Sequence, residues 1–275
     1  MDEVSGPDVQ FTGRIAWQDE VASAIDWSSF WEPMLEACAP CVGERVLDVG
    51  CGFAETTVEA ARRVGPTGSS TGIDNSPEML SRARGVIAGS GLSNVGLIEG
   101  DAQTYHLPDA HFDVVISAFG TMFFEDPVAA FANLRRSLRP GGRLAILCWQ
   151  QMARARWAQL MIDAMAEIIG PPEPTPEAPG PHAFADGDKL TAVVAAGGFG
   201  DIELQEVICP ERVGRDLADA VEFIVTLPMF RVPLSRATEA EVAEVVQSAR
   251  RALTDHAGSG GVVVDAPAWL LTARC

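Results

Sequence analysis

The chain has 275 residues, is 47% hydrophobic and carries 20 basic against 38 acidic side chains, a formal net charge of −18. Such a composition supports a well-filled core and argues against disorder. A protein this acidic repels polyanions, so we expect no nucleic-acid partner. No apolar stretch approaches the ~20 residues of a membrane span, and the acidic N-terminus lacks the apolar region of a signal peptide. We therefore expect no membrane partner and a cytoplasmic location.

Residues 1–44 precede the first predicted strand and are expected to form a helical cap segment. A helix-like pattern of aromatic side chains runs through this segment. We favour an amphipathic helix that covers the edge of the sheet; a lid over a substrate is the alternative. The aromatic residues are Trp17, Trp27, Phe30 and Trp31.

Strands and helices alternate regularly between residues 45 and 150. This alternation predicts a parallel sheet with right-handed crossovers, which binds ligands beyond the carboxyl ends of its strands. Residues 45–150 are therefore the predicted cofactor-binding core. Strands are predicted at 45–49, 69–73, 95–99, 112–118 and 143–149, and helices at 54–64, 76–88 and 127–138.

The pattern changes after residue 150. Residues 151–200 predict a helix at 153–169, a proline-rich lid loop and a helix at 186–196, because the proline density around 170–181 excludes helix and central strand. Residues 201–275 predict the last two strands, at 201–208 and 268–273. A helical insertion separates them at about 210–260, with helices at 214–227 and 236–257; it caps the pocket or, alternatively, forms the surface of a homodimer.

A glycine-rich turn followed by two acids predicts a nucleoside site. Gly50 and Gly52 follow the first strand, where the absence of side chains lets a ligand approach the backbone. Asp74 ends the second strand, the place for an acid that binds ribose hydroxyls. Asp101 follows the third strand, where a carboxylate can accept a hydrogen bond from an exocyclic amine while the next backbone amide, of Ala102, serves a ring nitrogen.

The residues after the glycines do not fit a pyrophosphate. A third glycine is missing from the run, and Glu55 stands near the start of the helix. Its carboxylate repels an anion but tolerates a zwitterionic or cationic ligand. A nicotinamide-dependent oxidoreductase of the same fold is therefore the less favoured alternative, and it stays open.

Several motifs in order resemble those of class I S-adenosylmethionine (SAM)-dependent methyltransferases, in the small-molecule group that includes ubiquinone- and menaquinone-type enzymes. The resemblance implies an α/β, Rossmann-like fold: a seven-stranded, mostly parallel sheet with helices on both faces, an antiparallel last strand and a helical cap. One departure is Ala54, where many members carry a third glycine. The motifs are Leu47-Asp48-Val49-Gly50-Cys51-Gly52, Gly72-Ile73-Asp74-Asn75-Ser76, Gly100-Asp101-Ala102, Phe112-Asp113-Val114-Val115-Ile116-Ser117 and Leu138-Arg139-Pro140-Gly141-Gly142-Arg143-Leu144.

The resemblance also implies the cofactor, SAM, its product, S-adenosylhomocysteine (SAH), and the residues that hold them. Gly50 and Gly52 line the methionine part, Asp48 orients their loop and Asp74 holds the ribose hydroxyls. Asn75 and Met79 pack near the adenine, and Asp101 and Ala102 bind its edge. Ser117 and Phe119 lie beside the sulfonium.

The predicted reaction is an in-line SN2 displacement that moves a methyl group to oxygen or nitrogen, in preference to carbon or sulfur. Large apolar side chains follow the fourth strand and predict a hydrophobic or aromatic small-molecule acceptor. The predicted pocket consists of Phe119, Met122, Phe123 and Trp149. A protein that binds SAM or SAH without catalysis is the alternative. We expect no metal.

A general base is needed only where the acceptor loses a proton. The candidates are His182, in the proline-rich lid, and Tyr105 and His106, after the adenine loop. For each, a solvated or rim position without a role in the reaction is the alternative. His111 falls in a predicted surface turn and is interpreted as solvated.

Overall fold

The protein is described by a computed structural model over residues 28–171 and 179–275. Trp17, Trp27 and the centre of the proline-rich loop, residues 172–178, lie outside the described residues, so the predictions on them remain predictions. The strands are β1 (Arg45–Val49), β2 (Ser69–Asp74), β3 (Val95–Glu99), β4 (Phe112–Ala118), β5 (Leu138–Trp149), β6 (Gly200–Gly214), β7 (Ala257–Gly258) and β8 (Gly261–Arg274). The helices are α1 (Ser28–Cys38), α2 (Glu55–Val64), α3 (Pro77–Ser90), α4 (Pro127–Ser137), α5 (Arg156–Ala166), α6 (Gly187–Ala196), α7 (Leu217–Thr226), α8 (Pro228–Leu234) and α9 (Glu239–Leu253).

The sheet has the strand order β3-β2-β1-β4-β5-β8-β6. Strands β1 to β5 pair in parallel, and β8 is antiparallel to both β5 and β6. The predicted fold class and the antiparallel last strand are confirmed. Over residues 28–171 and 179–275 the sheet has eight strands instead of the predicted seven, because the two-residue β7 folds back onto β8 at a tight turn. A strand of two residues has no periodicity that a sequence could reveal.

The last two long strands extend well past their predicted bounds. β6 has 15 residues and β8 has 14, whereas the sequence predicted 201–208 and 268–273. Both strands contain a proline, Pro210 in β6 and Pro267 in β8, which the sheet tolerates. Pro210 is tolerated because β6 is an edge strand. Pro267 is tolerated because β5 ends opposite Ala268, so no residue of β5 pairs with Pro267 and its missing N–H.

Helix α1 covers a face of the sheet. Its buried Met34 and Leu35 join a core cluster with Val114 of β4 and Leu147 of β5. The prediction that the N-terminal helix covers the sheet edge is therefore wrong: the apolar stripe is wide enough to bury against two central strands, which removes more apolar area from water than an edge could.

The outer halves of β6 and β8 carry a second core. Trp149, at the end of β5, pairs with Ala268, so residues 261–267 of β8 project beyond the carboxyl edge of the sheet, by about 20 Å at the usual rise per residue. Helices α5, α7, α8 and α9 pack on this ribbon around Trp157, Phe230 and other apolar side chains. We call the ribbon with these four helices the cap. Helix α8 was not predicted, since Pro228 and Pro233 interrupt the helical pattern.

Within the described residues, every helix is too short or too polar to cross a lipid bilayer.

Candidate functional site

The turn after β1 has a backbone that only glycine adopts without strain. Gly50 and Gly52 have φ angles of +67° and +51°. A Cβ atom on Gly50 would lie 2.7 Å from the Cα of Gly120, so the turns after β1 and β4 touch. The next residue but one, Ala54, also lies in the left-handed region, at φ +65°. The missing third glycine therefore leaves a strained alanine at the start of α2.

Asp74 is fixed between two backbone N–H groups. Its Oδ2 accepts a hydrogen bond from the N–H of Gly52 at 2.9 Å, and its Oδ1 accepts one from the N–H of Ser76 at 2.9 Å. The carboxylate is half-buried at the carboxyl end of β2. The predicted ribose acid is thus locked onto the glycine turn, and each oxygen keeps a further lone pair for a ligand.

Asp48 lies behind the turn and is fully buried. Thr57 Oγ1, on α2, donates a hydrogen bond to Asp48 Oδ2 at 2.7 Å. Burial, helped by the negative charge of Asp74 and opposed by the Thr57 hydrogen bond, raises the pKa of Asp48 to about 7. Burial also raises the pKa of Glu55, at the first position of α2, above its ordinary value. The pocket behind the glycines therefore disfavours further negative charge.

The predicted adenine residues lie around the ends of β2 and β3. Asn75 and Asp101 are exposed, Met79 is half-buried and Ala102 is buried. Asp101 Oδ1 accepts a hydrogen bond from the N–H of Gln103 at 2.9 Å, which shapes the loop after β3. These residues therefore follow the carboxyl ends of β2 and β3, the two strands beside β1 and its glycine turn.

Ser117 links the turns after β1 and β4. Its buried hydroxyl donates to the carbonyl of Val49 at 2.7 Å and accepts from the N–H of Gly120 at 3.2 Å. Between them Phe119 adopts φ +65°, a conformation that is strained for a bulky side chain. Such strain persists where the surroundings over-determine a residue, as at ligand sites.

Aromatic side chains gather beside Phe119. Its ring stacks on the ring of Trp149, with centroids 4.0 Å apart and planes at 13°. Trp31 of α1 packs into the same group around the buried Ala268 and Cys209. Sequence reasoning favoured a covering helix for Trp31, with a lid over a substrate as the alternative, and did not include Trp31 in the predicted pocket.

The other predicted pocket residues separate. Met122 is 1% exposed and belongs to the main core, where its sulfur accepts a hydrogen bond from the N–H of Trp149 at 3.3 Å. Met122 is thus a support for the aromatic pair, which corrects its predicted place in the pocket wall. Phe123 is 49% exposed, at the outer side of the same turn.

The candidate bases lie in different places. Tyr105 packs on Gly100 after β3, and His106 follows it, exposed. This loop crosses the sheet towards α4, where the side-chain amide of Asn133 donates to the carbonyl of Tyr105 at 2.9 Å. His111 precedes β4 at the opposite edge of the sheet, beside Arg45, and burial and that charge lower its pKa. The structure thus places His111 at the end of β4 opposite to Phe119, whereas Tyr105 and His106 lie on the loop that crosses towards α4.

His182 lies at the end of β5. Its Nδ1 is 2.7 Å from the backbone carbonyl oxygen of Gln150, the residue after Trp149. The described end of the proline-rich loop is tied down on both sides of His182: the N–H of Gly180 donates to the Met122 carbonyl at 3.0 Å, and the indole of Trp269 donates to the Ala185 carbonyl at 2.9 Å. The histidine is therefore held in place rather than carried on a free lid.

The comparison with protein families fits this site. The family described as "Methyltransferase domain" matches residues 46–142, which contain the glycine turn, Asp74 and Asp101. Residues 46–142, about a third of the chain, thus carry a methyltransferase domain. The family predicted from the sequence and its cofactor, SAM, are thereby confirmed.

Relatives of this methyltransferase family match over different lengths. Aklanonic acid methyltransferase DauC of a Streptomyces species is 36% identical over 47% of this chain and 65% of its own length. A demethylmenaquinone methyltransferase of Listeria monocytogenes is 37% identical over 43% of this chain and 50% of its own. The chain thus spans about half to two thirds of these relatives. Nocamycin O-methyltransferase of Saccharothrix syringae is 29% identical over 88% of this chain and 89% of its own length.

A solved structure supports the methyltransferase fold. A SAM-dependent methyltransferase from Aquifex aeolicus superposes with a TM-score of 0.51, at 22% identity, over 67% of this chain and 90% of that chain.

Proposed function

We propose that this chain transfers a methyl group from SAM to an oxygen or nitrogen of a hydrophobic or aromatic small molecule. The observation that carries the proposal is the hydrogen bond from the Gly52 N–H to Asp74, which joins the glycine turn to the ribose acid in one rigid unit. A nucleoside with a short zwitterionic tail fits such a unit, because the backbone is bare and the buried Asp48 behind it disfavours a phosphate.

The residues have distinct roles in this proposal. Asp74 binds both ribose hydroxyls, Asp101 and the Ala102 N–H read the adenine edge, and Gly50 lets the methionine part approach the backbone. SAM supplies the methyl group on an already activated sulfonium. The protein therefore needs chiefly to align the acceptor in line and to exclude water.

The acceptor is proposed to stack beside Phe119. The Phe119–Trp149 pair and the half-buried Trp31 offer flat apolar surface between the cofactor cleft and the cap. The names of the relatives that act on aklanonic acid, demethylmenaquinone and nocamycin support an organic small molecule, and the O-methyltransferase matches along nearly the whole chain.

His182 is the base we propose for an acceptor that loses a proton. It is held at the end of β5, the strand next to β4. There its Nδ1 contacts the carbonyl oxygen of Gln150, the residue that follows Trp149 in the sequence. Tyr105 and His106 are assigned to the adenine rim instead.

Titration with SAH, followed by calorimetry, tests the cofactor assignment. We expect Asp74→Ala to weaken SAH binding by about 100-fold, since two hydrogen bonds from hydroxyls to a charged group are lost. The control is Asp113→Ala: this acid accepts from the N–H of Arg45 and from Arg139 at the opposite edge of the sheet, so SAH affinity should stay as in the wild type.

Three results would overturn the proposal. Equal SAH affinity of the Asp74→Ala variant and the wild type would remove the ribose assignment. Binding of NADH in place of SAH would favour the oxidoreductase alternative. A chain that binds SAH tightly but transfers no methyl group to any of a panel of phenols, quinols and amines would favour a non-catalytic binding protein.

A further inference from the structure

Gln150 is a buried polar residue at the carboxyl end of β5. It is 1% exposed, yet its side chain is fully engaged. The Nε2 donates to Glu206 Oε2 at 3.0 Å and to the Ala268 carbonyl at 3.3 Å, and Oε1 accepts from Arg154. Burying an amide is unfavourable unless its hydrogen bonds are made, so this residue holds a defined position.

The surroundings also restrain the backbone of Gln150. Its N–H donates to the Pro267 carbonyl at 3.2 Å, and Arg154 and Glu206 form an ion pair at 2.8 Å. Contacts from β6, β8 and the turn before α5 thus converge on one residue. Its carbonyl oxygen cannot move far without breaking several of them.

That carbonyl sets the state of the histidine. Because a carbonyl oxygen only accepts hydrogen bonds, the Nδ1 of His182, 2.7 Å away, carries the hydrogen. The lone pair of the neutral imidazole is then on Nε2. A histidine that acts as a base needs one fixed tautomer and one fixed ring orientation, which a partner on the other nitrogen provides.

We propose that Gln150 is a positioning residue that holds His182 in its Nδ1–H tautomer, with Nε2 as the basic nitrogen. The side chain of Gln150 acts through its own backbone: by filling the polar niche between Arg154 and Glu206, it keeps the carbonyl aimed at Nδ1. That His182 acts as a base rests on the proposed function. The tautomer of His182 and its dependence on Gln150 can be tested without a known acceptor.

The test is the tautomer of His182, measured by long-range proton–nitrogen correlation spectra of the full chain labelled with ¹⁵N-histidine, with SAH present. Only four histidines contribute, and His182→Asn assigns the signal. In the neutral form of the wild type we expect a single tautomer, protonated on Nδ1. In Gln150→Met, which keeps length but removes every side-chain hydrogen bond, we expect both tautomers.

The matched control is Gln159→Met. Gln159 lies on the neighbouring α5, where its side chain donates to Asp163 at 2.7 Å, so the same substitution should leave His182 in one tautomer. Gln150→Glu is the second variant, since it keeps the shape but loses both donors and sets a carboxylate against Glu206; it too should give a mixture.

A wild-type His182 protonated on Nε2, or a single Nδ1–H tautomer that survives both changes at Gln150, would overturn the inference. SAH affinity is measured on the same samples. Failure of the wild type to bind SAH would contradict the proposed function, whereas a changed tautomer with intact SAH binding bears on Gln150 alone.

Discussion

The cofactor half of the molecule and the cap are built by different means. In the cofactor half, residues 45–118, polar side chains bond to fixed partners: Asp74 to two N–H groups, Ser117 to the Val49 carbonyl, Thr57 to Asp48. In the cap, the core is built from apolar side chains such as Phe230 and Val245, which carry no polar atoms. A site that needs hydrogen-bond geometry restricts the residue type, whereas a packed core accepts many apolar combinations of the right volume.

The largest expected effect is on stability and distinguishes the cores of the two halves. Phe230 belongs to the core of the cap, and Phe131, on α4, belongs to the main core that supports the cofactor half. Both are fully buried. Replacing either by alanine should lower the local free energy of unfolding by about 3–5 kcal/mol. Amide hydrogen exchange should show Phe230→Ala losing protection in α7 and α9, and Phe131→Ala losing it in α4 and β4.

SAH binding provides the second readout for this pair. Phe230→Ala should retain the wild-type affinity, because the cofactor cleft lies outside the cap. Equal loss of protection in both halves from either change would show that they unfold as one unit, and the distinction would then be wrong.

The next effect concerns pH. The pKa of Asp48 is about 7 in the folded chain against an ordinary 3.8, so folding favours its protonated form. Its contribution to stability is fully present below pH 3.8 and is lost as the pH rises through about 7. The difference between the folded and the ordinary pKa corresponds to a loss of about 4 kcal/mol. Asp48→Asn should lack this loss, so urea unfolding should show the variant gaining on the wild type between pH 4 and pH 8.

An acid in the cap should behave in the opposite way. Glu241 caps α9 through hydrogen bonds from the N–H and hydroxyl of Thr238, which lower its pKa below 4.5. Its contribution is present above pH 4.5 and is lost as the pH falls. The free energy of unfolding of Glu241→Gln should therefore differ from that of the wild type only at a pH where Glu241 is ionised. The same pH trend for both variants would contradict the assigned signs.

The smallest effect tests the strained turn. Ala54 and Ala60 are both fully buried, but Ala54 has φ +65° and Ala60 lies inside α2. Glycine at 60 should lower the free energy of unfolding by about 1.5 kcal/mol, from one lost methyl group and greater chain entropy. Glycine at 54 loses the same methyl but relieves about 1–2 kcal/mol of left-handed strain, so its stability should change little. Equal losses in thermal unfolding would show that Ala54 is unstrained.

The sequence predicted the cofactor half closely. Strands predicted at 45–49, 95–99 and 112–118 have those bounds, because short apolar runs ended by glycine or an acid leave few alternatives. The strands of the cap were predicted too short, since Pro210 and Pro267 normally end a strand and only their edge positions allow them.

The acceptor side was predicted least well. Met122 proved to be core, Trp31 joined the aromatic group, and Gln150 was missed altogether. A polar residue directly after a buried parallel strand is a signal for Gln150, because such positions face the ligand edge of the sheet. Nothing local distinguishes Met122 from Phe119, since both follow the same strand.

The sequence by itself indicated a nucleoside site, because glycines in a tight turn and acids at strand ends are read from local chemistry, and the resemblance of its motifs to a family implied SAM. Only the tertiary structure decided what lies across the cleft. Trp31, Phe119 and Trp149 meet through packing, and His182 reaches a carbonyl 32 residues earlier in the chain. Contacts between distant segments depend on the register of β5, β6 and β8, and apolar surface does not specify its partner.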